Sequence, residues 1–184
     1  ATADHAFLVS STYGNAGTCI RDIDYTMPAE VCVLDLRCNV SFSMPEEAMH
    51  ALFGGGIRLL SSEGALCGAT VKNGRFIYGQ DGEALRKRSC QLDRNYEIRI
   101  RYFPQRQTYD VFVNGSYFVE EAPAESDGKP VALKIESHKG TDVFIDNIRL
   151  AHSTHAVKQH LGDHVPVVLQ NKAGLRPVAH LDIQ

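Results

Sequence analysis

The 184-residue chain has no tryptophan, no Cys-x-x-Cys pair and no excess of basic residues, its formal net charge being −3. Each absence removes a class of function. A charge of −3 lacks the strongly basic face that nucleic-acid binding requires, so no nucleic acid partner is expected. No stretch approaches the roughly 18 apolar residues needed to cross a membrane, so no membrane partner is expected either. The opening residues, ATADHAFLVSS, carry no basic region followed by a long apolar run. No signal peptide is therefore visible, which leaves a cytoplasmic location and an extracellular one after processing both open. Gly54-Gly55-Gly56 is followed by neither GKS/T nor GxGxxG and reads as a connection into a strand rather than a phosphate cradle. Helical spacing is confined to residues 45–52, where a first-turn proline and two glutamates precede Ala48, Met49 and Leu52.

Cysteine is present but odd in number: Cys19, Cys32, Cys38, Cys67 and Cys90. Cys32 and Cys38 share an alternating apolar face with Leu34, Leu36, Val40 and Phe42. Free cysteine is a small hydrophobe that favours such places, so these spacings predict buried thiols rather than disulfides or zinc ligands. That leans the compartment towards a reducing one.

What the chain does have is alternation. Apolar residues make up 43% of it, enough for one continuous core. Tyr96, Ile98, Ile100 and Tyr102 alternate with Glu97, Arg99, Arg101 and Phe103, the period of two of a half-buried strand. Tyr109, Val111 and Val113 alternate with Asp110 and Phe112 and run into Asn114-Gly115, a hairpin turn, with Tyr117 to Val119 as the return strand. Residues 30–42 give the longest clean alternation, with Val33, Asp35, Arg37, Asn39 and Ser41 on the wet face. Further strands are expected around Phe7-Leu8-Val9, Cys19-Ile20-Arg21, and over residues 57–60, 66–71, 75–78, 131–136 and 142–150. Asn73-Gly74 marks a second hairpin. Residues 83–88 read as a charged exposed segment. The whole predicts an all-β fold, a two-sheet antiparallel jelly-roll sandwich with one short helix. It occupies residues 1–151. Residues 152–184, with His152, His155, His160, His164 and His180, read as a closing strand or a linker to a further domain. His160 and His164 have helical zinc spacing, but no HExxH completes a ligand set, and they read as exposed histidines.

Four segments carry a family resemblance. They are Val71-Lys72-Asn73-Gly74-Arg75-Phe76-Ile77-Tyr78, then Tyr96-Glu97-Ile98-Arg99-Ile100, then Tyr109-Asp110-Val111-Phe112-Val113-Asn114-Gly115, and Val143-Phe144-Ile145-Asp146-Asn147-Ile148-Arg149-Leu150. In this order the chain from Gly56 to Leu150 resembles the concanavalin A-like lectin/glucanase superfamily, in its laminin-G-like and carbohydrate-binding variants. The resemblance covers about half the chain and is one of fold. It implies a jelly roll whose concave sheet binds glycans, so an oligo- or polysaccharide partner, and it supplies no catalytic residues. The departures are specific. The paired glutamates of the fold's glucanases and the Arg-, Gln- and His-rich strands of its polysaccharide lyases are missing. So is the galectin tryptophan, a stacking role that tyrosine can fill.

The candidate ligand-binding residues are Asp35, Arg37, Asn39, Arg99, Arg101, Lys134 and Glu136, all on the non-core faces of three expected strands. If those strands share a sheet, they form a basic-leaning groove, in which arginine's planar fork suits carboxylate or sulfate. The plain alternative is an outer face kept wet by ordinary charge. Catalysis would need Asp35 and Glu136 on neighbouring strands for a glycoside hydrolase, or Tyr102 or Tyr109 beside Arg99 for a polysaccharide lyase. Asp146 alternates with Val143 and Ile145 and shares a face with Phe144, Ile148 and Leu150. A structural calcium ion is one answer for a carboxylate there and is the cofactor considered. The others are an Asp accepting backbone N–H bonds, or a strand whose Val143/Ile145 face is the buried one. The expectation drawn from these residues is a carbohydrate-binding module, an accessory part of a larger carbohydrate-active protein. Its rivals are an enzyme using the same groove and a structural sandwich packing on a further domain or chain.

Overall fold

The computed structural model describes residues 7–10, 17–23, 26–47, 52–80, 83–154, 168–171 and 174–177. Its strands, in chain order, are β1 (Phe7–Ser10), β2 (Gly17–Asp22), β3 (Val33–Ser43), β4 (Gly55–Ser61), β5 (Gly64–Lys72), β6 (Arg75–Gln80) and β7 (Glu83–Ser89). They continue with β8 (Tyr96–Phe103), β9 (Thr108–Val113), β10 (Ser116–Pro123), β11 (Pro130–Ser137), β12 (Asp142–Ser153), β13 (Val168–Asn171) and β14 (Gly174–Pro177). Two six-stranded antiparallel sheets form the sandwich: a front sheet ordered β1-β12-β3-β8-β9-β10 and a back sheet ordered β2-β11-β4-β5-β6-β7. β13 and β14 pair with each other as a separate hairpin. The jelly-roll expectation is met. No helix among the described residues is long and apolar enough to cross a membrane.

Period-two patterning decides which face meets which. Leu34, Leu36, Cys38, Val40 and Phe42 of β3 join Ile98, Ile100, Tyr102, Tyr109, Val111 and Val113 on the inner side of the front sheet. Ile57, Leu59, Cys67, Val71, Phe76, Leu133 and Ile135 line the inner side of the back sheet. Phe76 meets Tyr96 and Phe118 edge-on, at ring separations of 5.2 and 6.2 Å, and so joins the two sheets. All five cysteines are free thiols. Burial holds Cys38 in its neutral form and pushes its pKa up to about 12. Both Asn-Gly turns carry positive φ at each central residue, +51° and +69° at Asn73-Gly74 and +50° and +79° at Asn114-Gly115. That is the backbone a two-residue hairpin needs.

Three local outcomes differ from the sequence pattern. Residues 83–88, charged and exposed as the sequence suggests, form most of β7, the edge strand of the back sheet, a strand that no alternation marks because neither face is buried. Its Arg88 donates to the carbonyls of Val113 and Tyr117 and lies over the Phe118 ring, tying this edge to the β9–β10 hairpin. β12 is bulged between Asp146 and Arg149, with Asn147 at φ +51°. Val143 and Ile145 therefore face the core before the bulge, and Ile148 and Leu150 after it. At the expected helix, Glu46 and Glu47 form a turn and residues 48–51 lie outside the described ones, as do His155, His160, His164 and His180.

Candidate functional site

The front sheet brings five of the seven candidate residues together. In the β3–β8 ladder Asp35 stands opposite Arg101, Arg37 opposite Arg99, and Asn39 opposite Glu97, all on the outer face. The register extends on both sides. Arg149 of β12 stands opposite Arg37, Phe112 of β9 opposite Arg99, and Tyr117 of β10 opposite Phe112. One row, Arg149–Arg37–Arg99–Phe112–Tyr117, thus crosses five strands, a span of about 19 Å at the usual ~4.8 Å strand spacing. The neighbouring row is Ala151–Asp35–Arg101–Asp110.

The middle of this face is dry. Asp35, Arg99, Arg101 and Asp110 are all buried. Arg99 grips Asp35 through Nε, at 2.9 and 3.1 Å to the two carboxylate oxygens, and through a terminal nitrogen at 2.6 Å. Its guanidinium lies 5.4 Å from the Phe112 ring centre, and that of Arg101 lies 5.5 Å from Phe103. Burial, followed by the nearby Arg99, pulls the Arg101 pKa down, while Asp35 and Asp110 oppose the shift. The Arg101 Nε is buried and has no hydrogen-bond partner among the described residues. Burial also raises the Asp110 pKa, against the Glu121 N–H that its carboxylate accepts at 2.8 Å. The ends of the row are wetter. Arg37 is 36% exposed at its side chain and stands 3.8 Å from Asp35, Arg149 is exposed, and Tyr117 is exposed beside Phe112 with ring centres 4.1 Å apart.

The other two candidates are elsewhere. Lys134 and Glu136 lie on β11 of the back sheet, paired with each other at 2.6 Å and neighbours of Arg58 on β4. Asp35 and Glu136 are thus on different sheets, and the neighbouring-strand condition for a carboxylate pair is not met. Tyr102 and Tyr109 point into the core while Arg99 is on the outer face, so that trio is not assembled either. Asp146 is half-buried at the bulge, where its carboxylate accepts the Asn147 N–H at 2.7 Å. Among the described residues no group of three or more His, Cys, Asp and Glu side chains is placed to hold a metal ion.

The back sheet has a feature that no motif announces. The β5–β6 ladder runs only from Lys72↔Arg75 to Thr70↔Ile77, after which the two strands part. The segment after β10 enters the gap, the Glu125 N–H bonding the Leu66 carbonyl at 2.9 Å. A slot of about 170 Å³ remains, walled by Thr70, Ile77 and Tyr78 and floored by Tyr109, Val111 and Phe118 of the front sheet. Arg58 crosses β5 to its mouth and donates to Glu125 at 3.0 Å and Thr70 at 3.3 Å. Gly68 is what lets it cross, since a Cβ there would sit 2.8 Å from the Arg58 Cγ. Sequence reasoning missed Arg58, Glu125 and this slot. The available signal was Gly68 inside a strand, which marks a close approach.

No family model matches the chain, and no curated protein matches it. Solved structures do. A sialidase superimposes with a TM-score of 0.63 at 9% identity, over 79% of this chain and 15% of that one. An alginate lyase of polysaccharide lyase family 7 gives 0.51 at 12% identity, over 79% of this chain and 84% of the lyase. A polysaccharide lyase of family 18 gives 0.51 at 12%, over 84% of this chain and 90% of that one. The chain therefore spans about a seventh of the sialidase and most of either lyase. At such identities the likeness establishes the fold, and the fold is the concanavalin A-like jelly roll.

Proposed function

We propose that this concanavalin A-like jelly roll is a carbohydrate-binding module that takes an acidic oligosaccharide across the outer face of its front sheet. The observation that carries the proposal is the Arg149–Arg37–Arg99–Phe112–Tyr117 row. Like charges directly opposite one another on adjacent strands are destabilising, so three arginines abreast cost the fold something that an anionic ligand would offset. Guanidinium forks match carboxylate and sulfate groups bidentately. At the other end Tyr117 and Phe112 offer a stacking surface, the role that tryptophan would otherwise fill. Arg99 is held by Asp35 and acts as the fixed centre, while Arg37 and Arg149 are free enough of solvent-excluding neighbours to meet a ligand. The shared fold with a sialidase and two polysaccharide lyases supports a carbohydrate partner, and the match to a 15% stretch of the sialidase supports a place as one module of a larger carbohydrate-active protein.

The test is titration with uronate, sulfated and neutral oligosaccharides, reading binding and the release of reducing or unsaturated ends in the same samples. Acidic oligosaccharides are expected to bind without product. Arg37→Ala and Arg149→Ala should each weaken them by about tenfold or more, a hydrogen bond to a charged group being worth ~1.5–3 kcal/mol. Equal binding of neutral sugars, or indifference to both substitutions, would remove the row from the argument. Product release would replace the module with an enzyme.

A further inference from the structure

The slot between β5 and β6 has the features of a second binding site, on the opposite side of the sandwich from the arginine row. Its sides are apolar and aromatic, from Ile77, Tyr78, Val111 and Phe118. Its two ends are polar. At the floor Tyr109 is 2% exposed, yet it lines the slot, and no hydrogen bond engages its hydroxyl among the described residues. That hydroxyl is not among the fully buried side-chain atoms that lack a partner, so it opens to the slot, where a ligand hydroxyl can meet it. At the mouth Arg58 and Glu125 are paired at 3.0 Å, placing donors and acceptors side by side with no net charge. Burial raises the pKa of Tyr109 and of Tyr78, and the Glu125 carboxylate adds to both shifts, which puts both phenols near that one carboxylate and keeps them protonated donors.

We propose that this slot binds one uncharged sugar ring, with its C–H faces against Tyr78 and Phe118, one hydroxyl on Tyr109, and a hydroxyl pair on Arg58 and Glu125. The chemistry follows from the lining. A mouth of zero net charge has no preference for an ion, and an apolar ring without hydroxyls would leave the Tyr109 hydroxyl buried and unmet. A volume near 170 Å³ is below the ~300 Å³ at which pockets for drug-sized molecules begin, and so suits a single ring rather than a chain. The site is independent of the front face, because none of its lining residues belongs to the arginine row.

Two tyrosines line the slot, which makes fluorotyrosine a direct reporter of its occupant. Protein labelled with fluorotyrosine would be titrated with neutral methyl glycosides while the ¹⁹F resonances of Tyr78 and Tyr109, assigned by Tyr→Phe substitution, are followed. Saturable shifts of both are expected. Glu125→Gln, a change at an exposed residue that should leave the fold intact, and Tyr109→Phe, read on the Tyr78 resonance, should each weaken binding about five- to tenfold. Arg37→Ala should leave it unchanged. If neutral glycosides move neither resonance, or if Glu125→Gln and Tyr109→Phe both bind as the parent does, the slot is not a sugar site. Failure of the acidic oligosaccharides on the front face would be read separately, with the Arg37 and Arg149 variants.

Discussion

On the front sheet Arg99 and Asp35 are each 3% exposed at the side chain and meet through three short bonds, while on the back sheet Arg58 and Glu125 are 27% and 43% exposed and meet through one. Each pair sets an arginine on an outer strand face against a carboxylate, Asp35 in one and Glu125 in the other. Solvation differs. A buried pair must be satisfied within the protein, because neither charge has water to fall back on. A half-exposed pair can exchange its partner for water or for a ligand hydroxyl at little cost. The front pair is therefore suited to hold a surface in one shape, with exposed arginines at its margin for the ligand. The back pair is suited to be part of a mouth that rearranges around its occupant.

The largest effect should come from breaking the front pair. Arg99→Ala leaves the buried Asp35 without its bidentate partner and is expected to lower stability by about 3–5 kcal/mol, read from the urea midpoint at constant slope. The double replacement Asp35→Leu with Arg99→Met should recover most of that loss, because an apolar pair of similar volume avoids the desolvation cost. Binding of acidic oligosaccharide should not recover with it. A loss below about 1 kcal/mol for Arg99→Ala would place this pair with ordinary surface pairs and erase the contrast.

A smaller effect is expected at Gly68, which sharpens the comparison from the other side. A Cβ at this position would lie 2.7 Å from the Ile57 carbonyl oxygen and 2.8 Å from the Arg58 Cγ. Backbone must shift to accept the first contact and the Arg58 side chain must move for the second. Gly68→Ala should therefore cost about 1–3 kcal/mol, the usual range for forced overpacking. It should also withdraw Arg58 from Glu125, so that combining Gly68→Ala with Glu125→Gln adds little further loss of glycoside binding. Full additivity of the two would mean that Arg58 reaches the slot by another route.

Most of the architecture was legible because burial imposed a period of two that each strand carries locally. β3, β8 and β9 place on the core side the residues that alternation selects, and the two Asn-Gly turns sit where positive φ is required. The part of the site made by adjacent strands was legible for the same reason: Asp35, Arg37 and Asn39 meet Glu97, Arg99 and Arg101 because both strands alternate cleanly. What alternation cannot tell is which sheet a strand joins. Lys134 and Glu136 have the pattern of Arg37 and Asn39 but belong to the back sheet. Nor does it survive a bulge, and Asn147 reverses the facing of β12 so that Arg149 lines up with Arg37. The edge strand β7 lacks the signal altogether, since neither of its faces is buried and edge strands carry charge to resist pairing. The slot depends on where two strands part, a property of the sheet and of no single segment.

The smallest effect expected is also the one that separates the two faces most directly. In a double-mutant cycle of Arg58→Ala and Glu125→Ala the coupling energy should fall within about 0.2–1 kcal/mol, as for other partly exposed pairs. Raising ionic strength to about 1 M, where the screening length shrinks to ~3 Å, should remove most of it. The Asp35–Arg99 coupling, shielded from salt by burial, should persist under the same conditions. A coupling above about 2 kcal/mol for Arg58 and Glu125, insensitive to salt, would mean that this pair braces the parted strands as firmly as the front pair braces its sheet. Opening the mouth for a sugar would then cost about as much as the ligand's hydrogen bonds return, at ~0.5–1.5 kcal/mol each, and the slot would stay closed. A weak, salt-sensitive coupling leaves the guanidinium and the carboxylate available to a neutral ring, which is the state the half-exposed geometry favours.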